Sequence, residues 1–440
     1  HAVDALSPKH VRVVVGAGRE QVEAHLSEVA PHVTTVFQEK RGGTGHATQL
    51  ALDGLKATGT ILVLAGDTPM LTGSSLAQLL EEHHAGGFTA SVLTAEHPDP
   101  TGYGRIIRGD DDSLLRIVEE RDADELQRDI LEVNSGVYAF DAVKLAGAIG
   151  KLKNDNSQGE LYLTDVIEIL RNEGGKIAAV LIDDFIEILG VNDRVQLAES
   201  AALLRDRINE DLMRAGVTIV DPLSTWVDAT ATVANDVVLM PGTAISGTTT
   251  VATGAVIGPR TTLVDCTVGT GARVIESRAT EAIIGDGANV GPFTFLRPGT
   301  KLLPNSKVGA YVEIKNSSIG EGTKVPHLSY VGDAEIGSGT NIGAATVFVN
   351  YDGVEKHKTK VGNEVRIGSD TMLVAPVCVG DGAYTAAGSV ITDDVPAGAM
   401  GVARSKQRNI LGWVLRKRSG TKSAQAAKAA GATETSEQGS

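Results

Sequence analysis

Cysteine, aromatic residues and long apolar runs are all scarce in this sequence of 440 residues. Its two cysteines, Cys266 and Cys378, lie far apart without CxxC spacing, which excludes a disulfide framework or zinc knuckle and leads us to expect a reducing, cytoplasmic compartment. No run approaches the roughly 18 apolar residues of a membrane helix, and the opening HAVDALSPKH lacks the apolar stretch of a signal peptide. Integral membrane association and export are therefore not expected. The formal charge of −15 argues against nucleic acid as a partner. Against that background, Arg404, Lys406, Arg408, Arg416, Lys417, Arg418, Lys422 and Lys428 make a basic C-terminal stretch that reads either as a solvated tail or as a polyanion contact. An initiating Met is also absent, so a processed or N-terminally incomplete chain is expected. What is plentiful is glycine, 51 residues, in an otherwise ordinary globular composition of 42% hydrophobic and 22% charged residues. The length suggests two or three domains.

Up to about residue 194, strand-like runs (VRVVVGAG, ILVLAGD, FTASVLTA, GVYAFD, KIAAVLIDD) alternate with helix-like segments (REQVEAHL, SSLAQLLEEH, LYLTDVIEILRN). That alternation predicts βαβ units, a mostly parallel sheet covered on both faces, and ligands at the carboxyl ends of the strands. Leu197, Ala201, Leu204, Ile208 and Leu212 then fall on one stripe, predicting a linking helix over 195–215 capped by Asn192 or Asp193.

Beyond it the period changes. An aliphatic residue recurs every six positions from Val227 through Val233, Leu239, Ile245, Val251 and Ile257 to Leu263, and again from Ile284 to Ile314 after a phase slip. Further short series follow, Ile319 to Val331, Ile336 to Ile342 and Val361 to Val379. Neither a helix nor a flat strand has this period; a triangular β-solenoid does, because each six-residue side sends one side chain to the axis. Twelve glycines, among them Gly309, Gly332 and Gly368, directly follow a rung. NYDGVEKHKTK (350–360) breaks the register and must project as a loop. The resulting division is 1–194, an α/β domain; 195–215, the helix; 216–418, the β-helix; and 419–440, expected to be disordered.

The strings GTGHA (43–47), GDTP (66–69), YGRI (103–106), EVNSGVYAF (132–140), LYLTD (161–165) and GVNDR (190–194), followed by GPFTFLRPGT (291–300), VEIKNS (312–317), PHLSYVGD (326–333), NIGA (341–344), VNYDG (349–353) and GSDTMLVAP (368–376), run in this order along nearly the whole chain. In this the sequence resembles the bifunctional bacterial enzymes that make UDP-N-acetylglucosamine, a glucosamine-1-phosphate N-acetyltransferase joined to an N-acetylglucosamine-1-phosphate uridylyltransferase. The resemblance implies a doubly wound α/β domain, a left-handed β-helix and a homotrimer with acetyl-transfer sites shared between subunits.

It also implies site residues. His327 would be the general base, chemistry that suits an imidazole. Arg297, Lys315, Tyr330, Asn341 and Lys356 would hold glucosamine-1-phosphate, a guanidinium fork and ammonium groups being matched to a phosphate monoester. Ala344, Asn350, Tyr351, Ser369, Ala387 and Arg404 would contact acetyl-CoA. In the first half, Asp67 and Asn192 would coordinate Mg²⁺ for the reaction of UTP with N-acetylglucosamine-1-phosphate. Gln38, Gly43 and Thr44 would meet the uracil side, Ala65 and Gly66 line a strand end, and Gly104, Glu119 and Asn134 hold the sugar. The LAAGxGTRM loop with which that family opens does not occur in residues 1–440, so weak uridylyl transfer is expected of the stretch as it stands.

Three other readings compete. A hexose-1-phosphate nucleotidyltransferase with a regulatory β-helix would not need PHLSYVGD and VNYDG. A γ-type carbonic anhydrase, a zinc enzyme on a solenoid, needs three histidines per site, and the solenoid half has two, His327 and His357. A non-catalytic trimeric scaffold with decayed sites is the non-enzymatic reading.

Overall fold

The structure is a computed structural model and describes residues 2–56 and 58–434. It divides into two compact units, 1–204 and 205–440.

In the first unit, β1 (Arg12–Val15) pairs in parallel with β2 (Thr34–Phe37), and α1 (Arg19–Val29) connects them. After α2 (Thr44–Leu52), β3 (Thr60–Val63) starts a second sheet with β4 (Ala90–Glu96), β5 (Arg105–Arg108), β6 (Leu114–Val118), β7 (Glu132–Asp141) and β8 (Ile177–Ile182). The expectation of a mostly parallel sheet needs correction. β7 runs antiparallel to β3, β4 and β5, and the parallel pairs are β4 with β8 and β1 with β2. The connection from Glu96 to Glu132 returns the chain through the antiparallel β5–β6 pair and one helical turn, Glu125–Arg128, rather than through a full crossover helix.

Both faces of this sheet are nevertheless covered. Along β7, Tyr138 and Phe140 pack into one core with Leu145, Val166 and Leu170, while Val133, Val137 and Ala139 pack into another with Leu76 and Leu79. Period-two alternation splits the strand between the cores. Between the units runs α3 (Arg194–Arg214), whose first turn is capped by the Asp193 carboxylate accepting from the amides of Val195 and Gln196 at 2.8 and 2.9 Å.

The second unit is a parallel β-helix with three faces. The first runs from Thr218–Ile219 to Met400–Gly401, the second from Trp226–Val227 to Val390–Ile391 and the third from Thr232–Val233 to Val377–Val379. On the first face Leu239, Ile257, Val274, Val290, Val308 and Val325 lie in register on successive coils, so each rung stacks on its own kind about 4.8 Å away. All are buried. Phe348 fills a rung that a search for aliphatics passes over, and it is fully buried.

Corner threonines take up the buried backbone oxygens. Thr300 Oγ1, for example, donates to Arg297 O at 2.7 Å, and Thr346 Oγ1 to Gly343 O at 2.7 Å.

The phase slips have one main location. From Leu263 to Val268, Ala279 to Ile284, Ile314 to Ile319 and Val331 to Ile336 the rung spacing is five, always at the corner between second and third faces. A single left-handed residue turns each of these shortened corners, Asp265, Glu281, Asn316 and Asp333. Asp and Asn tolerate that conformation better than most residues. The C-terminal stretch from 419 was expected to be disordered; instead Lys422–Ala429 forms a helix with Ala424 buried, its first turn capped by Thr421. Residues 435–440 of that expectation lie outside the described residues.

Candidate functional site

In the α/β unit, the apolar β3 leads into a turn at Ala65, Gly66 and Asp67, and the chain returns to this point at 190–192. Asp67 O accepts from Val191 N at 2.8 Å. A Cβ built on Gly190 would lie 3.6 Å from Asp67 Oδ2 and 3.8 Å from Asn192 Nδ2, so these two side chains converge over a glycine. Tyr103 joins them: burial chiefly pushes its phenol up, Gly190 opposes through a backbone hydrogen bond, and the Asp67 charge adds to the rise.

A second group forms around Gly104, where a Cβ would stand 3.5 Å from both Asn134 Cβ and Glu119 Oε2. Asn134 Nδ2 donates to Tyr138 Oη at 2.8 Å, and Thr164 Oγ1 to Glu119 Oε1 at 2.9 Å. Burial is the main cause that raises the Glu119 carboxyl above the usual range; the Thr164 bond opposes it and the Asp165 and Asp122 charges reinforce it. Ala65 connects the groups, since a Cβ on Gly136 would lie 3.3 Å from its methyl.

The third group is Gln38, Gly43 and Thr44. Gln38 Nε2 donates to Gly43 O at 3.3 Å, and Thr44 Oγ1 accepts from Leu163 N at 3.0 Å, tying this loop to the segment that carries Thr164. Gly43 is required as glycine: its φ is +95° and a Cβ would meet Leu161 O at 2.5 Å. All ten residues expected here thus fall into three linked groups. Tyr103, Tyr138, Thr164 and Gly190 touch these groups without being among the expected residues, although each sits inside a string that carries the resemblance.

The solenoid residues sort onto two corners. His327, Ala344, Ser369 and Ala387 each stand two places after a first-face rung, on successive coils. His327 O accepts from Ala345 N at 3.4 Å, Ala344 O from Asp370 N at 2.7 Å and Ser369 O from Gly388 N at 2.9 Å. A Cβ on Gly388 would come within 4.0 Å of Arg404 Cδ, which places that guanidinium stem at the head of the column. Asn341, just before the rung Ile342, lies on the same face. The His327 side chain is exposed and has no hydrogen-bond partner among the described residues. This corner is therefore a shallow track of small side chains with an imidazole at one end and a cation at the other.

At the corner between second and third faces, Arg297 follows Leu296, the register partner of Ile314, so it neighbours Lys315 one coil on. Arg297 Nη1 bonds Glu313 Oε1 at 2.8 Å. Lys315 is opposite Gly332. The absent side chain there leaves space for Tyr330 Oη and Asn350 Nδ2, which a Cβ would meet at 2.5 and 2.7 Å. Lys356 comes back to Lys315 on the projecting loop, where Tyr351 bridges to Lys356 and His357 Nε2 meets Asp352 Oδ2 at 2.7 Å. The Lys356 ammonium, first through a hydrogen bond and then through its charge, holds Lys315 below the usual lysine range. Within one chain, then, His327 and most of the residues expected at acetyl-CoA occupy one corner. Arg297, Lys315, Tyr330, Asn350, Tyr351 and Lys356 occupy another.

Fold and sites together define a two-part transferase, a sugar-nucleotidyltransferase unit joined to a hexapeptide-repeat acyltransferase. A nucleotidyl transferase family model matches residues 8–229. The chain is 55% identical to the bifunctional protein GlmU of Streptomyces avermitilis, over 98% of this chain and 90% of that protein. It is 54% identical to that of Mycolicibacterium gilvum over 98% and 87% of the two chains, and 52% identical to that of Corynebacterium efficiens over 98% and 90%. The chain belongs to the bifunctional GlmU family, and its β-helix is the left-handed form. Its two activities are glucosamine-1-phosphate N-acetyl transfer and N-acetylglucosamine-1-phosphate uridylyl transfer, which together make UDP-N-acetylglucosamine.

Proposed function

We propose that the acetyl-transfer site is completed between subunits of a homotrimer, with the His327 corner of one protomer facing the Lys315 corner of the next. The observation that carries this reading is the separation of base and phosphate cations onto different corners of one solenoid. Arg297, Lys315 and Lys356 bind the phosphate of glucosamine-1-phosphate, with Tyr330 and Asn341 on the sugar. The track of Ala344, Ser369 and Ala387 admits the extended pantetheine arm of acetyl-CoA without steric obstruction, and Arg404 meets its phosphates. Asn350 and Tyr351 close over the arm from the other corner.

His327 removes a proton from the substrate ammonium, and the freed amine attacks the thioester carbonyl. The C–N bond forms, the C–S bond breaks and the CoA thiolate leaves to be protonated. General-base assistance of this kind is worth about 10²–10⁴-fold.

In the other unit, Asp67 and Asn192 supply two oxygen donors on one side of Gly190. Among the described residues no group of three or more His, Cys, Asp and Glu side chains could cage a metal, and a two-donor set is what Mg²⁺ accepts when substrate phosphates and water complete its shell. The ion would neutralise triphosphate charge; Gln38, Gly43 and Thr44 orient the base of UTP, and Gly104, Glu119 and Asn134 the N-acetylglucosamine phosphate. Among the described residues no helix is long and apolar enough to cross a membrane. The substrates are cytoplasmic metabolites, and we place the enzyme there.

Subunit complementation tests the shared site. His327→Ala and Lys315→Ala are each expected to lack acetyl transfer as pure oligomers, and co-refolded mixtures to regain a fraction of it. Mixed oligomers, verified by differential tags, that stay inactive would refute the proposal.

A further inference from the structure

We propose that Asp333 is a positioning residue for acetyl transfer: it clamps the loop that carries Lys356 and supplies the buried counter-charge for the Lys315–Lys356 pair. The inference rests on the reading of that pair as the phosphate site. Asp333 is 7% exposed and turns the shortened corner in the left-handed conformation, with φ +52°. It stands in a column between two asparagines, each two places after a second-face rung. Its Oδ1 accepts from Asn316 Nδ2 of the preceding coil at 2.6 Å, and its Oδ2 from Asn350 Nδ2 of the following coil at 2.5 Å.

The backbone of Asp333 completes the clamp. Its N–H donates to Lys315 O at 3.1 Å, and its carbonyl accepts from Thr359 N at 3.2 Å. Asn350 and Thr359 are the two feet of the projecting loop, so one residue fastens both ends of it and the strand bearing Lys315.

The charges around the corner have an unequal distribution. Arg297 is paired with Glu313 at 2.8 Å, and Glu335 serves Lys358 at 3.8 Å and Lys360 at 4.0 Å on the third face. Lys315 and Lys356 make no ion pair among the described residues, and Asp333 is the carboxylate whose charge acts on both. Burial works hardest against ionisation of Asp333, yet the Asn316 and Asn350 bonds and the two lysine charges together hold its carboxyl below the usual range. A buried carboxylate held ionised in this way lets two adjacent ammonium groups remain charged until a phosphate arrives.

The test is acetyl transfer by the full chain, followed as CoA thiol release with each substrate varied across pH. In Asp333→Asn the KM for glucosamine-1-phosphate should rise about tenfold or more while kcat falls much less. The alkaline limb of kcat/KM should move about half a pH unit or more to lower pH, because Lys315 loses its counter-charge. A merely structural defect would scale the profile without moving the limb, and an unmoved limb overturns the counter-charge role.

Asn316→Ala frees one carboxylate oxygen but keeps the charge. It should raise the same KM by about two- to fivefold with the limb in place. An unchanged KM there overturns the clamp, whether or not Asp333→Asn folds. Lys315→Ala is the reference: if it retains the normal KM, the phosphate reading fails and takes this inference with it. If it loses acetyl transfer while Asp333→Asn keeps the normal KM, the positioning role alone fails.

Discussion

Gly332→Ala should damage acetyl transfer while leaving the β-helix intact, although it places a methyl beside a closely packed solenoid corner. The methyl would sit 2.5 Å from Tyr330 Oη, 2.8 Å from Tyr330 Cζ and 2.7 Å from Asn350 Nδ2, where ordinary contact begins at 3.4 Å. Asn350 is buried and tied to Asp333 at 2.5 Å, so the half-buried tyrosine must retreat, by about 0.9 Å. A misplacement of about 1 Å at a substrate-positioning group costs up to about 10²-fold in rate, and we expect kcat/KM for glucosamine-1-phosphate to drop about 10- to 100-fold. The stability loss should stay near 1 kcal/mol, because the displaced groups are side chains at the rim.

Gly309→Ala is the contrasting case. There the new methyl meets the backbone carbonyl of Pro326 on the next coil, 2.0 Å from its oxygen, and that carbonyl belongs to a ladder that cannot yield. The expected cost is about 2–3 kcal/mol or more. Thiol-release kinetics and thermal unfolding, run on both variants, check the pair. Gly332→Ala with kcat/KM within twofold of the parent, or with as large a loss of stability as Gly309→Ala, would refute the geometry.

Further outcomes are as specific. His327→Ala should lower acetyl-transfer kcat by about 10²–10⁴-fold, and because the side chain is exposed and unbonded, the melting temperature and oligomeric state should not change; full activity would remove His327 as the base. Chelation with excess EDTA should stop pyrophosphate release and spare thiol release, since no step of acetyl transfer in this arrangement uses the ion; loss of both activities would contradict it. Glu119→Gln concerns pH. The folded-state carboxyl is raised, chiefly by burial, so the native state binds more protons than the unfolded chain between the ordinary carboxylate range and its own higher pKa, and stability falls as pH rises through that window. The amide can still accept from Thr164 and removes this loss, so thermal unfolding of the α/β unit should be less pH-dependent in Glu119→Gln while sugar binding weakens; equal slopes in both proteins would refute it.

The β-helix was open to inspection in the sequence because no other fold gives an aliphatic residue every sixth position, and residues such as Ile257, Leu263 and Ile314 are fully buried as that period requires. The α/β unit was less open. Apolar alternation announces strands and helices but not strand direction, and β5 and β6 return by a hairpin that hydrophobic pattern alone cannot distinguish from a crossover. The expected site residues rest on strings such as PHLSYVGD, which do not single out their neighbours. Asp333 ends that string, yet a lone acid gives no sign that asparagines 17 residues to either side will bond it. Those contacts exist because coils stack, and the spacing of rungs decides which residues align on neighbouring coils.

That spacing also explains where the site lies. At two of the six-residue sides that meet this corner a glycine with positive φ makes the turn, Gly247 and Gly299. Where one residue is removed, the same corner needs a left-handed residue with a side chain, and at Asn316 and Asp333 that side chain is polar and aligned with its counterpart on the next coil. On the following coil the corner gains residues instead, and Asn350 opens the loop that returns Lys356 to Lys315. Deletion and insertion at one column thus do what a regular hexapeptide cannot. The uniform period builds an inert shaft, and two opposite departures from it, one coil apart, set a buried carboxylate beneath a pair of lysines.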